Sequence, residues 1–442
     1  NVIHTEGKQH VTLDHKRINL YVRPGSNREK KSEVFYEWQK KQLHEFVNEM
    51  LGKWEPILNV KANAYFLQKM KTKWGSCNHK SKNIRFNTEL VKKPKDLAEY
   101  VIVHELAHLI VPVHNEKFIS ILGKLPKFPT DFQIQRGQVI KHEGVEIRKI
   151  SWSTGYGPRT EALLLVPENI KSPLPGVLMF HSHDDIKEYG KEKIVDGAGE
   201  LPIHDQWVRK EHYGNRAPAN ALARRGFAVL VFDCFMWGSR KIGPEFMPQK
   251  LKNVLEGNDF EKLAVMHESM SLAKYLSLFG STISGLLNFD DRVAFQVAKT
   301  LPEMTNSISV VGLSGGGCRA LLLHATEPEL NATVSIGAMA TFESMLAEHV
   351  AVHSWMFFPQ DIAAHTDWTG VAISGSPRNL YLQFCGKDQL FTLKGMKDAD
   401  EIITKNYALG KYKTDFYPVP HTFSVEMQES AFDWLEKIQY EK

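Results

Sequence analysis

Two histidines stand four residues apart in "YVIVHELAHLIVPVH", residues 100–114. On a helix that spacing puts the imidazoles of His104 and His108 on one face, where both can bind one Zn²⁺. Glu105 lies between them and can reach a metal-bound water as general base. A catalytic zinc needs a third protein ligand and an open fourth position. His114 is the candidate. Six residues at about 100° each would carry it off the face of a straight helix. Pro112 removes the difficulty, because a helix tends to break just before proline and the chain can then turn back. Metzincins make the same six-residue step with a glycine turn, and Val111 stands where that glycine would be, so this is not that group.

A second constellation lies about two hundred residues further on. "SISVVGLSGGGCRALLLHA" reads as a strand, a G-x-S-x-G turn and a helix. The sharp turn lifts the Ser314 hydroxyl above the sheet edge and aims the N–H of Gly315 at a developing oxyanion. Gly312 and Gly316 leave room where strand and helix backbones meet. A triad on this pattern needs an acid and then a histidine, in that order. "NLYLQFCGKDQLF" puts Asp388 just past a strand, and "FYPVPHTFSVEM" puts His421 just past the next. His421 would take the proton of Ser314, and Asp388 would hold the imidazole in the right tautomer. Asp398 and Asp400 are rival acids expected on the following helix, and Asp415 is discounted because it sits in a strand. Cys318, one helical turn beyond Ser314, is expected to pack as a small hydrophobe.

These residues need two different frameworks. A chain of 442 residues is long enough for two or three domains. Residues 1–130 hold 23 Lys+Arg against 13 Asp+Glu, and the remainder holds 32 against 38, so the formal charge changes from +10 to −6. Such a change supports two domains. The basic first one could also meet nucleic acid or an acidic partner, with any zinc then purely structural. In the first part, residues 10–23 read as a strand, and the helix beginning near residue 34 has Ser32 as its expected N-cap. "AYFLQKM" and "NIRFNTEL" read as strands around a turn "GSCNHKSK", and "PKDLAEYVIVHELAHLIV" reads as a helix. "LPKFPTDF" marks the boundary. Beyond residue 145 short apolar strands alternate with helices, which argues for a mostly parallel sheet covered on both faces. Residues 233–281 are expected to form a cap. Four cysteines without a C-x-x-C pair indicate a reducing, cytoplasmic setting. No run of 18 apolar residues suggests a membrane span, and the first residues lack the apolar core of a secretion signal.

The block "MKTKWGSCNHKSKNIRFNTELVKKPKDLAEYVIVHELAHLIVPVHNEKF" resembles the YgjP-like zinc metallopeptidases, relatives of the SprT-like proteins. The resemblance covers roughly residues 10–128. It implies a small α+β zincin-like domain over residues 1–130, with zinc on His104, His108 and His114, Glu105 catalytic and a peptide or protein substrate. The family carries a further strand before residue 10 and a closing "P-x-W", which here is "LPKF".

"LPGVLMFHSHDDIKEYGKEKIVDG", "HYGNRAPANALARRGFAVLVFDCFMWGSRK" and the Ser314 block resemble the dienelactone-hydrolase-like branch of the α/β-hydrolases. This implies an α/β-hydrolase domain over residues 140–442 that cleaves a small carboxylic ester or lactone through an acyl-enzyme, without a cofactor. The family's H-x-H-G-G is replaced by "HSHDD". The second oxyanion donor is then a backbone N–H of His183 or Asp184, beside two carboxylates. An uncompensated Asp184 would oppose the intermediate, and its removal would then raise kcat about tenfold. A degraded esterase is the alternative. If a neighbour such as Lys187 pairs with the carboxylate, nothing is gained.

Overall fold

A computed structural model describes residues 1–440 except 15–16, 59, 71–73, 79, 94, 108, 110–124, 200, 255–258, 347–348, 361 and 365. The chain divides into two compact units, Asn1–Lys124 with Leu278–Gly280, and Leu125–Ser277 with Ser281–Lys442. Among the described residues no helix is long and apolar enough to cross a membrane.

In the first unit, β1 (Val2–His4), β2 (His10–Asp14) and β3 (Arg17–Val22) form a sheet in the order β1-β3-β2. The single strand expected over residues 10–23 is therefore the two arms of an antiparallel pair. β1 supplies a strand before residue 10, running parallel to β3. The long helix Arg28–Leu58 starts before the expected Ser32 cap. Asn27 accepts the N–H of Lys30 at 2.9 Å through its side chain, so the first turn is satisfied earlier. The helix buries Leu43, Val47 and Met50 against Ile84, Phe86 and Ile102.

β4 (Ala64–Gln68), β5 (Gly75–Asn78) and β6 (Asn83–Asn87) form a second small sheet, in the order β4-β6-β5. The segment expected as a turn thus begins as a strand. Cys77 pairs antiparallel with Ile84, which confines the turn to the residues between Asn78 and Asn83. The helix Lys95–Ala107 follows and carries His104 and Glu105.

In the second unit the described strands are β7 (Gln135–His142), β8 (Val145–Trp152), β9 (Thr160–Pro167), β10 (Leu174–Phe180), β11 (Ala228–Phe232), β12 (Met304–Leu313), β13 (Ala332–Ile336), β14 (Asn379–Cys385) and β15 (Tyr412–Tyr417). They form a nine-stranded sheet in the order β15-β14-β13-β12-β10-β11-β9-β8-β7. β10 to β15 are parallel, and β7 to β9 run antiparallel at one side. Both faces of the central strands are buried. Ala228, Leu230 and Phe232 of β11 enter one core cluster, and Val229 and Val231 enter the other. This two-sided burial is why these strands read as continuous apolar runs. β7 escaped the sequence reading because it is a mostly exposed strand of polar residues.

One charge pair lies deep in this core. Arg319 donates to Asp291 at 2.6 Å, with both side chains almost fully buried. The guanidinium also lies 4.2 Å from the centre of the Phe180 ring. Burial pushes the Asp291 carboxyl up to about 6, against the pull of Arg319. Removing one partner leaves the other charged and dry, which costs about 3–5 kcal/mol. Asp291→Ala is therefore expected to destabilise the second unit by about that much in urea unfolding. A loss below about 1 kcal/mol would show that the pair carries little of the fold.

Candidate active site

The turn between β12 and the helix Gly315–Thr326 holds Ser314 at φ 57°, ψ −121°. Positive φ is costly for a residue with a Cβ and persists only where the surroundings fix it. Here the N–H of Ser314 donates to the carbonyl of Ile336 at the end of β13, 2.8 Å away. On its other side the turn presses against the end of β10. A Cβ added at Gly316 would collide with the carbonyls of Phe180 and His181, and one at Gly312 with the carbonyl of Gly316. Glycine at these two places is a demand of close approach.

Asp388 and His421 come from the ends of β14 and β15. His421 Nδ1 lies 2.6 Å from Asp388 Oδ2, and the carboxylate is fully buried. The other oxygen, Oδ1, accepts the N–H of Leu390 at 2.8 Å. A carboxylate fixed at both oxygens sets the orientation and tautomer of the ring. Gly337, next to the residue that anchors Ser314, backs the imidazole: a Cβ there would stand 3.3 Å from His421 Cε1. Ser314 and His421 are thus gathered at the end of one strand. His421 Nε2 is buried and, among the described residues, has no hydrogen-bond partner.

The loop "HSHDD" follows β10 and runs beside the turn. A Cβ at Gly315 would lie 3.2 Å from that of His183. Among the described residues no acceptor takes the N–H of His183, Asp184 or Gly315. Asp184 does not need Lys187 as its partner. Its Oδ1 lies 2.7 Å from His212 Nδ1, its Oδ2 accepts from the Ser182 hydroxyl, and Lys193 Nζ is 3.4 Å away. Burial alone would raise this carboxyl, but Lys193 and His212 outweigh it and hold the group well below the usual carboxylate range. Asp185 is mostly exposed and pairs with His183 at 3.2 Å.

Lys187 serves the cap instead. It meets Glu268 Oε2 at 2.5 Å and lies 3.4 Å from the centre of the Trp237 ring. Glu268 opens a π-helical turn, Glu268–Leu272, within the segment expected as a cap. It also reaches His183 Nε2 at 3.1 Å. Burial and Lys187 disfavour the charged form of His183, yet Glu268 and Asp185 prevail and its pKa is raised. Lys193, His212 and Glu268 were not singled out in the sequence, and Lys187 was named there only as a partner for the acidic loop. The "KEK" of Lys193 and the "HYGN" of His212 lie inside the blocks that carry the family resemblance.

The rivals are accounted for. Asp398 and Asp400 lie on the helix Leu393–Asn406, bonded to Lys394 and to the Tyr412 hydroxyl. Asp415 sits in β15 and takes the Tyr381 hydroxyl at 2.5 Å. Cys318 is buried, its Sγ 3.5 Å from the Met356 carbonyl, and desolvation pushes its thiol far above the reactive range. All four cysteines are free thiols.

In the first unit, His108 and His114 lie outside the described residues, and so does the His104 side chain. Among the described residues no group of three His, Cys, Asp or Glu converges as a metal site. Glu105 is described and buried. Its carboxylate lies against Gly75 of "WGSC", where a Cβ would come within 2.5 Å of Oε1. Burial first, and then the charge of Glu105, raise the Cys77 thiol to about 11. In sequence the carboxylate is flanked by two histidines, and these are residue types that a catalytic zinc site uses, imidazoles as donors and a carboxylate as base.

Residues 1–129 match the family model described as YgjP-like, metallopeptidase domain. "Putative hydrolase YtaP" of Bacillus subtilis (strain 168) is 20% identical over 313 residues, or 70% of this chain and 92% of that protein. The crystal structure of a putative acetyl xylan esterase (BF1801) from Bacteroides fragilis NCTC 9343 aligns with a TM-score of 0.54 at 14% identity, over 78% of this chain and 88% of that one. A glucuronoyl esterase from Solibacter usitatus aligns at 0.48 and 13% identity, over 72% and 88%. The likeness to the Bacteroides fragilis structure, at 14% identity, speaks for fold. The chain is thus a hydrolase whose residues 1–129 match a YgjP-like metallopeptidase domain and whose larger unit shares the α/β fold of the Bacteroides fragilis structure.

Proposed function

We propose that the second unit hydrolyses small carboxylic esters or lactones through an acyl-enzyme on Ser314. The observation that carries this reading is the buried Asp388–His421 pair, 2.6 Å apart, beside a serine held at positive φ. His421 takes the serine proton as the hydroxyl attacks the carbonyl carbon, and returns it to the departing alcohol. Asp388 stabilises the imidazolium and is not itself protonated. The N–H of Gly315 and that of His183 or Asp184 receive the oxyanion. Water then repeats the sequence on the acyl-enzyme and releases the acid. The esterase names of the fold neighbours support including acylated sugars in a substrate panel.

For the first unit we propose zinc held by His104, His108 and His114, in service of peptide hydrolysis. The metal, when bound, would lower the pKa of a water molecule and polarise a peptide carbonyl. Glu105 would hold the proton removed from that water, and Gly75 keeps the space its carboxylate needs. The two units are read as domains over residues 1–130 and 140–442.

Turnover of p-nitrophenyl acetate is expected to survive a chelator and to vanish in Ser314→Ala. A chelator-sensitive activity untouched by that substitution would refute the serine reading. Asp184→Gly is expected to lower kcat by about tenfold or more, because it strips Lys193 of its counter-charge in a dry site. The faster enzyme that the sequence alone allowed would contradict this. His108→Ala is expected to lose stoichiometric zinc, whereas Glu105→Gln should keep it, with metal content per chain as the readout.

A further inference from the structure

The acidic loop raises a question that its own carboxylates do not answer: what makes "HSHDD" present amides, and not carbonyls, to the serine? The answer lies in Lys193, eight residues past the end of that stretch, in the 3₁₀ turn Lys191–Lys193. Its ammonium is fully buried. It donates to three carbonyls of the loop, Ser182 at 3.1 Å, His183 at 2.9 Å and Ile186 at 2.9 Å. An ammonium has three N–H bonds, so its donors are all used. Asp184, 3.4 Å away, supplies the counter-charge.

The peptides joining Ser182 to His183 and His183 to Asp184 are trans, since the one cis bond among the described residues is Ser376–Pro377. In a trans peptide the C=O and N–H point in opposite directions. Carbonyls drawn onto Lys193 therefore turn the N–H groups of His183 and Asp184 away from it. Both amides lack an acceptor among the described residues, and His183 borders Gly315. The positive φ of Asp184 and Asp185, 56° and 55°, curls the chain around the ammonium. Two further contacts brace the loop: the Tyr213 hydroxyl accepts the N–H of Ser182 at 3.0 Å, and His212 holds Asp184.

We propose that Lys193 is the positioning residue of the oxyanion hole. Its side chain fills the inside of the loop as a tethered cation. It thereby fixes which edge of two peptides faces the oxygen that becomes negative, while the ion pair with Asp184 keeps the loop neutral. This role rests on Ser314 acting as the nucleophile.

The test compares wild type, Lys193→Met and the double variant Lys193→Met/Asp184→Asn, which leaves no buried charge unpaired. Steady-state hydrolysis of p-nitrophenyl acetate is measured together with binding of a trifluoromethyl ketone, which forms an oxyanion on the serine. Binding of the matching alcohol, which does not, is measured in parallel. Both variants are expected to lose about 100-fold in kcat with KM little changed, the size of a lost oxyanion donor. Ketone affinity should fall by the same factor, with alcohol affinity unchanged. If Lys193→Met does not fold, the double variant decides. A folded double variant with wild-type kcat overturns the proposal, and so does an equal loss of ketone and alcohol binding, which would mark a general structural role. A wild type whose turnover ignores Ser314→Ala overturns the nucleophile reading and this proposal together.

Discussion

The second unit is organised around a close approach between backbones. The turn bearing Ser314 is pressed against the end of β10 so tightly that only glycine fits at 316. That contact fixes where the loop after β10 can begin. The loop must then bend away from the sheet at once, and an abrupt bend leaves carbonyls facing inward with no strand to pair them. Unpaired buried carbonyls are costly. Lys193 satisfies three of them with one group. The same bend brings His183 beside Gly315.

Charge follows from this geometry. A buried ammonium needs an anion, and Asp184 is placed to serve. The carboxylate that looks hostile to an oxyanion in the sequence is taken up by contacts with Lys193, His212 and the Ser182 hydroxyl. A second cluster, Lys187, Glu268 and His183, ties the cap segment to the same loop. Buried ion pairs add little net stability over apolar packing, but breaking one is expensive.

The first unit uses the same economy on a smaller scale. Gly75 belongs to "WGSC", and its missing side chain is the space that the Glu105 carboxylate occupies. The strand Gly75–Asn78 and the helix Lys95–Ala107 are thereby matched to each other before any metal chemistry is considered. A glycine-enforced approach thus sets the position of Glu105 in one unit and of Ser314 in the other.

The sequence alone determined what is local in the chain. H-E-x-x-H needs one turn of helix, and G-x-S-x-G needs one strand, one turn and one helix, so Glu105 and Ser314 could be named from neighbours only. The order Ser314, Asp388, His421 and the parallel sheet were legible because buried strands write themselves as apolar runs. The misreadings were also local: Asn27 preceded the expected cap, and "GSCN" hid a strand in turn-like residues. What only the tertiary structure decided is the company kept by polar groups. His212 and Asp184 are 28 residues apart, and Glu268 and His183 are 85 apart. No periodicity links such positions, because a hydrogen bond between distant segments depends on where the sheet brings them. For that reason Lys193 reads in the sequence as one more surface lysine in "KEK", and in the fold it is the fully buried cation around which the acidic loop is wound.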